Sequence, residues 1–296
     1  MALGINFGIV PLLFLQTTYY NAFYTATILT AWWWLAVIPV LIVGYYSLYI
    51  AAYCERRERM ILYSILASLC LIYIGLMITN GLTLMISSEL WGKMAAQTYY
   101  YGAVLGTAHN FEHSLLWWRL ATMFGLGLLT TGIWATFDAH CLIRSNANSV
   151  PPNYRQWTVT LALLMTFVGA AILTGTEWHL KTMLGTLYYP YFGWVLLLAY
   201  TVFVALLLAK ICSTKCIGTK FIAIAAALQF ATLAVFGVIR QIGQNSAMEK
   251  FIDVSKLPEA VQWDTLIAFL VCFLLGVAVI VWMVAQCVKC QTEPAA

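Results

Sequence analysis

The chain has 296 residues, 63% of them hydrophobic and 9% charged, with a mean hydropathy of +0.86. These values lie outside the range of soluble domains and inside that of polytopic membrane proteins. The formal net charge of +4 is spread over the loops, which argues against nucleic acid as a partner and leaves the basic residues to orient helices.

No lysine or arginine precedes the first apolar run and no small-residue cleavage site stands out, so the N-terminal stretch reads as a retained span rather than a signal peptide. A hydrocarbon layer of about 30 Å needs about twenty helical residues at 1.5 Å each. Eight stretches qualify, with cores at Ile5–Leu29, Trp32–Tyr53, Met60–Ser87, Leu115–Phe137, Trp157–Gly175, Phe192–Ile211, Phe221–Ile239 and Thr265–Ala285. The expected fold is an all-α polytopic helix bundle of about eight transmembrane helices, one integral membrane domain over residues 1–296 in contact with lipid.

The first span carries a polar band, Gln16, Tyr19, Tyr20, Asn21 and Tyr24, which must face the bundle interior, a cavity or headgroups. Such a band suits a quinone pocket or polar helix packing equally. Trp32, Trp33 and Trp34 suit the interfacial aromatic belt. The basic cluster Arg56, Arg57 and Arg59 after the second span is expected to be cytoplasmic, which puts both termini inside. On that orientation nine Lys/Arg lie inside (Arg56, Arg57, Arg59, Arg144, Arg155, Lys210, Lys215, Lys220, Lys289) and five outside (Lys93, Lys181, Arg240, Lys250, Lys256). Six of the eight cysteines (Cys54, Cys141, Cys212, Cys216, Cys287, Cys290) then fall at the inner boundary, as a reducing cytoplasm and an oxidising exterior would leave them. The Cys212/Cys216 and Cys287/Cys290 pairs could bind zinc or an iron–sulfur cluster if the sixth and eighth spans meet, or be acylated. The longest outer segments are residues 88–114 and 240–264.

Four histidines carry the functional reading. His113 opens the fourth span at the outer face, and His109 lies one helical turn before it if the helix extends that far. His179, in "GTEWHL", follows the end of the fifth span on the same side. Adjacent antiparallel helices would bring His113 or His109 to the depth of His179, the geometry of bis-imidazole haem ligation. Solvated interfacial histidines are the plain alternative, and a copper site built from His109, His113 and His179 is a poorer explanation. His140 is 27 residues from His113, about 40 Å along a helix, so it would ligate a second haem with a methionine or face the cytoplasm beside Asp138. Arg119, about one and a half turns below His113, is expensive within a membrane unless it pairs with a haem propionate, with Glu112 or with an acid of another helix.

Three stretches together resemble the large subunit of cytochrome bd-type quinol oxidases: "TNGLTLMISSELWGK" (79–93), "EHSLLWWRLATMFGLGLLTTGIW" (112–134) and "AVFGVIRQIGQ" (234–244). They make up about a sixth of the chain, which is shorter than that family's. The resemblance implies His113 as a haem b ligand and Arg240 with Gln241 as part of an outer haem or quinol environment. The first span has no histidine where the family ligates its oxygen-reducing haem, and Gly237 stands where a glutamate would precede the arginine. Electron transfer without oxygen reduction is the implied activity.

The resulting expectation is a haem b-containing subunit, with one haem or two, of a quinol-linked oxidoreductase complex. It would pass electrons between quinol or quinone and a redox partner such as a cytochrome c at the outer face of a bacterial inner membrane. The alternative is a cofactor-free transporter or membrane anchor of a larger complex.

Overall fold

The computed structural model describes residues 12–13, 15–139, 153–184, 191–212, 219–249 and 263–292. The helices are α1 (Tyr20–Leu29), α2 (Ala31–Leu35), α3 (Val37–Tyr53), α4 (Arg57–Ile86), α5 (Trp91–Gln97), α6 (Ser114–Phe137), α7 (Tyr154–Leu184), α8 (Tyr191–Cys212), α9 (Thr219–Met248) and α10 (Trp263–Thr292). A single 3-10 turn, Ser88–Leu90, precedes α5. A hairpin pairing Tyr99–Tyr100 with Ala103–Val104 is the only sheet among the described residues. The chain is therefore all-α.

Among the described residues five helices are long and apolar enough to cross a membrane: Ala31–Tyr53, Arg57–Ile86, Ser114–Phe137, Tyr154–Thr176 and Lys220–Met248. They coincide with the expected second, third, fourth, fifth and seventh spans. The expected sixth and eighth spans fall on α8 and α10, whose described apolar stretches, Gly193–Leu207 and Ile267–Met283, are shorter. Residues 5–11 and 14 of the expected first span lie outside the described residues, and its C-terminal part is the ten-residue α1.

The chain forms two units, Met1–Ile252 and Asp253–Ala296. In the second unit α10 carries the apolar run. In the first, consecutive helices pack as α3–α4, α6–α7, α7–α8 and α8–α9, and α9 returns to α6. The last four thus close into a ring. Leu129, Ala170, Leu173, Val195, Ala199 and Ile239 form one buried aliphatic cluster in it, and Ile133, Val202, Leu206 and Ala225 another, with Gln229 and several threonines buried on the same helices. Large apolar side chains such as Ile42, Leu62, Leu69, Leu164, Phe167 and Phe230 point outward, the inverse of a soluble bundle and the pattern a lipid solvent selects.

Without a hydrophobic force between helices in lipid, close approach relies on small residues. A Cβ on Gly125 would lie 3.0 Å from the Gly169 carbonyl oxygen, and one on Gly169 would lie 2.7 Å from that of Gly125. Seven residues on, a Cβ on Gly132 would lie 2.8 Å from the Ala162 oxygen, which makes α6 and α7 antiparallel. Threonines inside the helices return their hydroxyls to the preceding turn, as Thr122 does to Trp118 O at 2.9 Å and Thr136 to Gly132 O at 2.9 Å. Each such bond gives a hydroxyl a partner within its own helix, which lipid cannot supply.

A second core sits where α1, the C-terminal end of α4 and α5 meet, holding Tyr19, Phe23, Leu29, Leu84, Met85, Met94, Ala108 and Met248 together. The segment before α6 closes over it. Trp32 N donates to Gly106 O at 3.1 Å, Ala108 N to Leu29 O at 3.1 Å, and the Trp33 indole to Thr107 O at 3.1 Å. Gly106 has φ +69°, and a Cβ there would lie 2.7 Å from Ala31 Cβ, so only glycine suits the position. The tryptophan run is thereby pinned by the 105–108 loop.

Candidate functional site at the 88–114 end of the bundle

α6 begins at Ser114, and His113 is its N-cap with φ −83° and ψ 113°. The helix does not reach back to His109, which stands in irregular chain, exposed, with its ring stacked on Phe111 at 5.2 Å and 14°. The expected i, i+4 alignment of His109 and His113 on one helix is therefore replaced by a turn. Phe111 and Asn110 bring this about: the Trp117 indole donates to Phe111 O at 2.8 Å, and His113 N donates to Asn110 O at 3.2 Å. These bonds complete the turn before α6 rather than continuing the helix backward.

His113 is half-buried, and its Nδ1 is buried without a hydrogen-bond partner. The same is true of the Asn110 Nδ2, on a residue 5% exposed. Both residues line a cavity of about 220 Å³ whose other walls are Leu90, Lys93, Met94, Gln97, His109 and Glu112.

His179, on α7, lies flat against Trp118 of α6, ring centroids 3.7 Å apart and planes 6° from parallel. Trp118 is five residues beyond His113, about 7.5 Å along the α6 axis. His179 thus stacks on a residue five positions after His113 in the chain, and it is not among the residues that line the His113 cavity.

Arg119 reaches across to α4, where its Nη1 donates to Leu82 O at 3.1 Å and to Thr83 Oγ1 at 3.4 Å. A backbone carbonyl and a hydroxyl of α4 are thus among the partners of the guanidinium. Leu82 also borders an apolar groove of about 480 Å³ between α4 and α6, with Gly75, Thr79, Met123 and Gly127 among its walls.

Gln241 lies on α9 beside Arg240, which is half-buried. Its Nε2 donates to Tyr19 OH at 3.3 Å and to Asn245 Oδ1 at 2.8 Å, and Tyr19 OH donates to the same Oδ1 at 2.6 Å. Of the polar band in the first span, Tyr19 faces inward at 2% exposed, whereas Tyr20 and Tyr24 are more than half exposed. This triad ties the chain before α1 to the end of α9.

Sequence reasoning passed over Asn80 and Gln244. Asn80 is 1% exposed with an unpartnered Oδ1, and Gln244 is 6% exposed with an unpartnered Nε2. Each sits one helical turn before a residue of the α1–α4–α5 core, Leu84 and Met248 respectively. Of the five buried side-chain atoms without partners among the described residues, four therefore lie toward this end of the bundle. The fifth, Gln229 Oε1, is deeper, on a side chain whose Nε2 reaches Leu126 O at 3.3 Å and Thr130 Oγ1 at 3.0 Å. For Asn80 and Gln229 the signal in the sequence was an amide inside an apolar run, "ITNGL" and "LQFAT"; Gln244, in "RQIGQNS", had no such signal.

Among the described residues no three His, Cys, Asp or Glu side chains gather as a metal site. His140, Cys141 and Cys216 lie outside the described residues, and Cys212 is on α8 whereas Cys287 and Cys290 are on α10. For a haem, the donor type fits at one position: His113 offers a buried nitrogen without a hydrogen-bond partner. The volume does not, since 220 Å³ is below the roughly 300–1,000 Å³ of small-molecule and cofactor sites. The chain matches no known protein family, no curated protein and no solved structure.

Proposed function

We propose that this chain is the membrane-embedded electron-transfer subunit of a quinol-linked oxidoreductase complex, with haem b ligated at the 88–114 end by His113 and His179. One observation carries the reading: the His113 Nδ1, buried and unpartnered at the mouth of a membrane-spanning helix. An orphaned polar atom of this kind costs about 1–3 kcal/mol, and a ligand would recover that cost. In the full topology eight spans cross a bacterial inner membrane, both termini are cytoplasmic, and residues 88–114 face outward toward a partner such as a cytochrome c. Arg240 and Gln241, beside Tyr19, border the quinol or quinone. When bound, the haem supplies the redox change; the chain's own residues hold and orient it.

A cofactor-free membrane anchor is the second reading, and two observations favour it. Arg119 already has carbonyl and hydroxyl partners on α4, and the cavity at His113 is small. A transport path has less support, because two buried aliphatic clusters fill much of the space between α6, α7, α8 and α9.

The visible spectrum of the protein purified in mild detergent separates them. A sharp reduced α band that is lost in His113→Ala and His179→Ala supports the haem reading. A colourless wild-type protein, or a spectrum unchanged in both variants, overturns it and leaves the anchor.

A further inference from the structure

We propose that the hairpin of residues 99–104 is a membrane-interface anchor whose three tyrosines sit among lipid headgroups beside the tryptophan end of the bundle. The proposal goes beyond the haem reading and does not depend on it.

The sequence carries no charged side chain from residue 94 to residue 108. Within that stretch the hairpin pairs Tyr99 with Val104 and Tyr100 with Ala103. Successive side chains of a strand point to opposite faces. Tyr99 and Tyr100 are nevertheless 60% and 59% exposed, and so is Leu105 at 48%, so the bundle covers neither face of the hairpin. Tyr101 and Gly102 have φ of +48° and +85°, the pair of left-handed residues that closes a tight two-residue hairpin turn. The turn presents the Tyr101 ring outward, edge-to-face with Tyr100 at 4.4 Å.

Two physical limits bracket the surroundings of such a hairpin. Two strands alone are marginal in water, and an exposed, charge-free aromatic cluster marks a contact surface. On the other side, the outer strand edges present backbone N–H and C=O groups that hydrocarbon cannot satisfy. The headgroup layer meets both demands, because it accepts tyrosine rings with their hydroxyls and holds enough water to bond the strand edges.

Continuity with the membrane-spanning surface selects lipid over a protein partner. At the base of the hairpin Leu105 N donates to Thr98 O at 3.0 Å, and the next residue, Gly106, accepts from Trp32 N at 3.1 Å. Trp32 stands in the first turn of the membrane-spanning helix Ala31–Tyr53 and, like Trp33, is exposed. The four residue steps from Gly106 to Gly102 reach at most about 14 Å. The tip therefore stays near the plane where that helix enters the bilayer, and the apolar surface runs from Trp32 and Trp33 through Leu105 to the tyrosines.

The test uses the full chain in phosphatidylcholine nanodiscs, with Tyr101 replaced by p-acetylphenylalanine and its ketone coupled to an aminooxy fluorophore, a chemistry that spares the native cysteines. Three quenchers are compared: lipid with a nitroxide on the headgroup, lipid with a nitroxide near the end of the acyl chain, and iodide in the water. The expected result is strongest quenching by the headgroup nitroxide, with iodide quenching below that of the free dye. Iodide quenching at the free-dye rate without a response to either lipid overturns the proposal and leaves a water-facing loop open to a protein partner. Strongest quenching from the chain-end nitroxide, or no quenching by any of the three, overturns it as well. The same label at Ala103, exposed on the returning strand, gives the reading if the Tyr101 variant does not fold. Because the reading is a ratio between quenchers, it stands whether or not the protein binds haem.

Discussion

Trp118 and His179 form a parallel stack at 3.7 Å that joins α6 to α7 at the 88–114 end of the bundle. The imidazole is held by its face, and its orientation is a product of the packing of α6 on α7 rather than of its own helix. A stack of this kind contributes about 0.5–1.5 kcal/mol beyond area burial. His179→Ala is expected to destabilise the bundle by about that amount, and Trp118→Phe by less. Denaturant titration in mild detergent reads both. If haem is present, Trp118→Phe keeps the spectrum whereas His179→Ala abolishes the low-spin form.

Arg119 is expected to matter as a brace between α6 and α4. Arg119→Ala removes a charged donor from Leu82 O and Thr83 Oγ1, and bonds of this kind are worth about 1.5–3 kcal/mol. Thr83→Val removes only the weaker 3.4 Å contact, since the Thr83 hydroxyl also serves Thr79 O at 2.7 Å, and should cost less than half as much. Equal losses in the two variants would contradict the carbonyl as the principal partner.

Gly125→Ala and Gly169→Ala are expected to push α6 and α7 apart, because the added methyl would meet a backbone oxygen of the facing helix at 3.0 and 2.7 Å. Overpacking of this kind costs about 1–3 kcal/mol. Gly127→Ala is the internal control: a Cβ there meets nothing within 4 Å, and the substitution should be neutral or slightly stabilising. Thermal unfolding of the three variants side by side checks the contrast.

Gly106→Ala should uncouple the 105–108 loop from the tryptophan run. At φ +69° an alanine is strained by about 1–2 kcal/mol, and its Cβ would also meet Ala31 Cβ at 2.7 Å. The expected result is faster exchange of the Trp32 amide, which Gly106 O otherwise holds at 3.1 Å. Hydrogen exchange of the segment around residues 30–36 measures it.

Orientation in the membrane has a direct test at Tyr101, which is 92% exposed in the hairpin turn. Tyr101→Cys is expected to react with an impermeant maleimide in intact cells. Labelling only after permeabilisation would place residues 88–114 in the cytoplasm and remove the outer redox partner from the proposed function.

Much of the architecture is legible in composition because a bilayer imposes one rule on every residue in it: backbone groups must bond within their own helix. Runs such as 57–86 and 220–248 therefore announce themselves as spans by length and hydropathy alone. Hydropathy has no term for the partner of a side chain. It marks Arg119 as expensive, but Leu82 is 37 residues away in sequence, and only the crossing of α4 and α6 brings its carbonyl to the guanidinium. It marks His113 and His179 as end-of-span residues, but the turn that stops α6 at Ser114 and the stack on Trp118 depend on Asn110, Phe111 and the Gly125–Gly169 contact. Asn80 and Gln244 read in the sequence as isolated amides. Their common placement toward one end of the bundle comes from α1 and α5 packing on Leu84 and Met248 one turn away, a tertiary contact that no local pattern encodes.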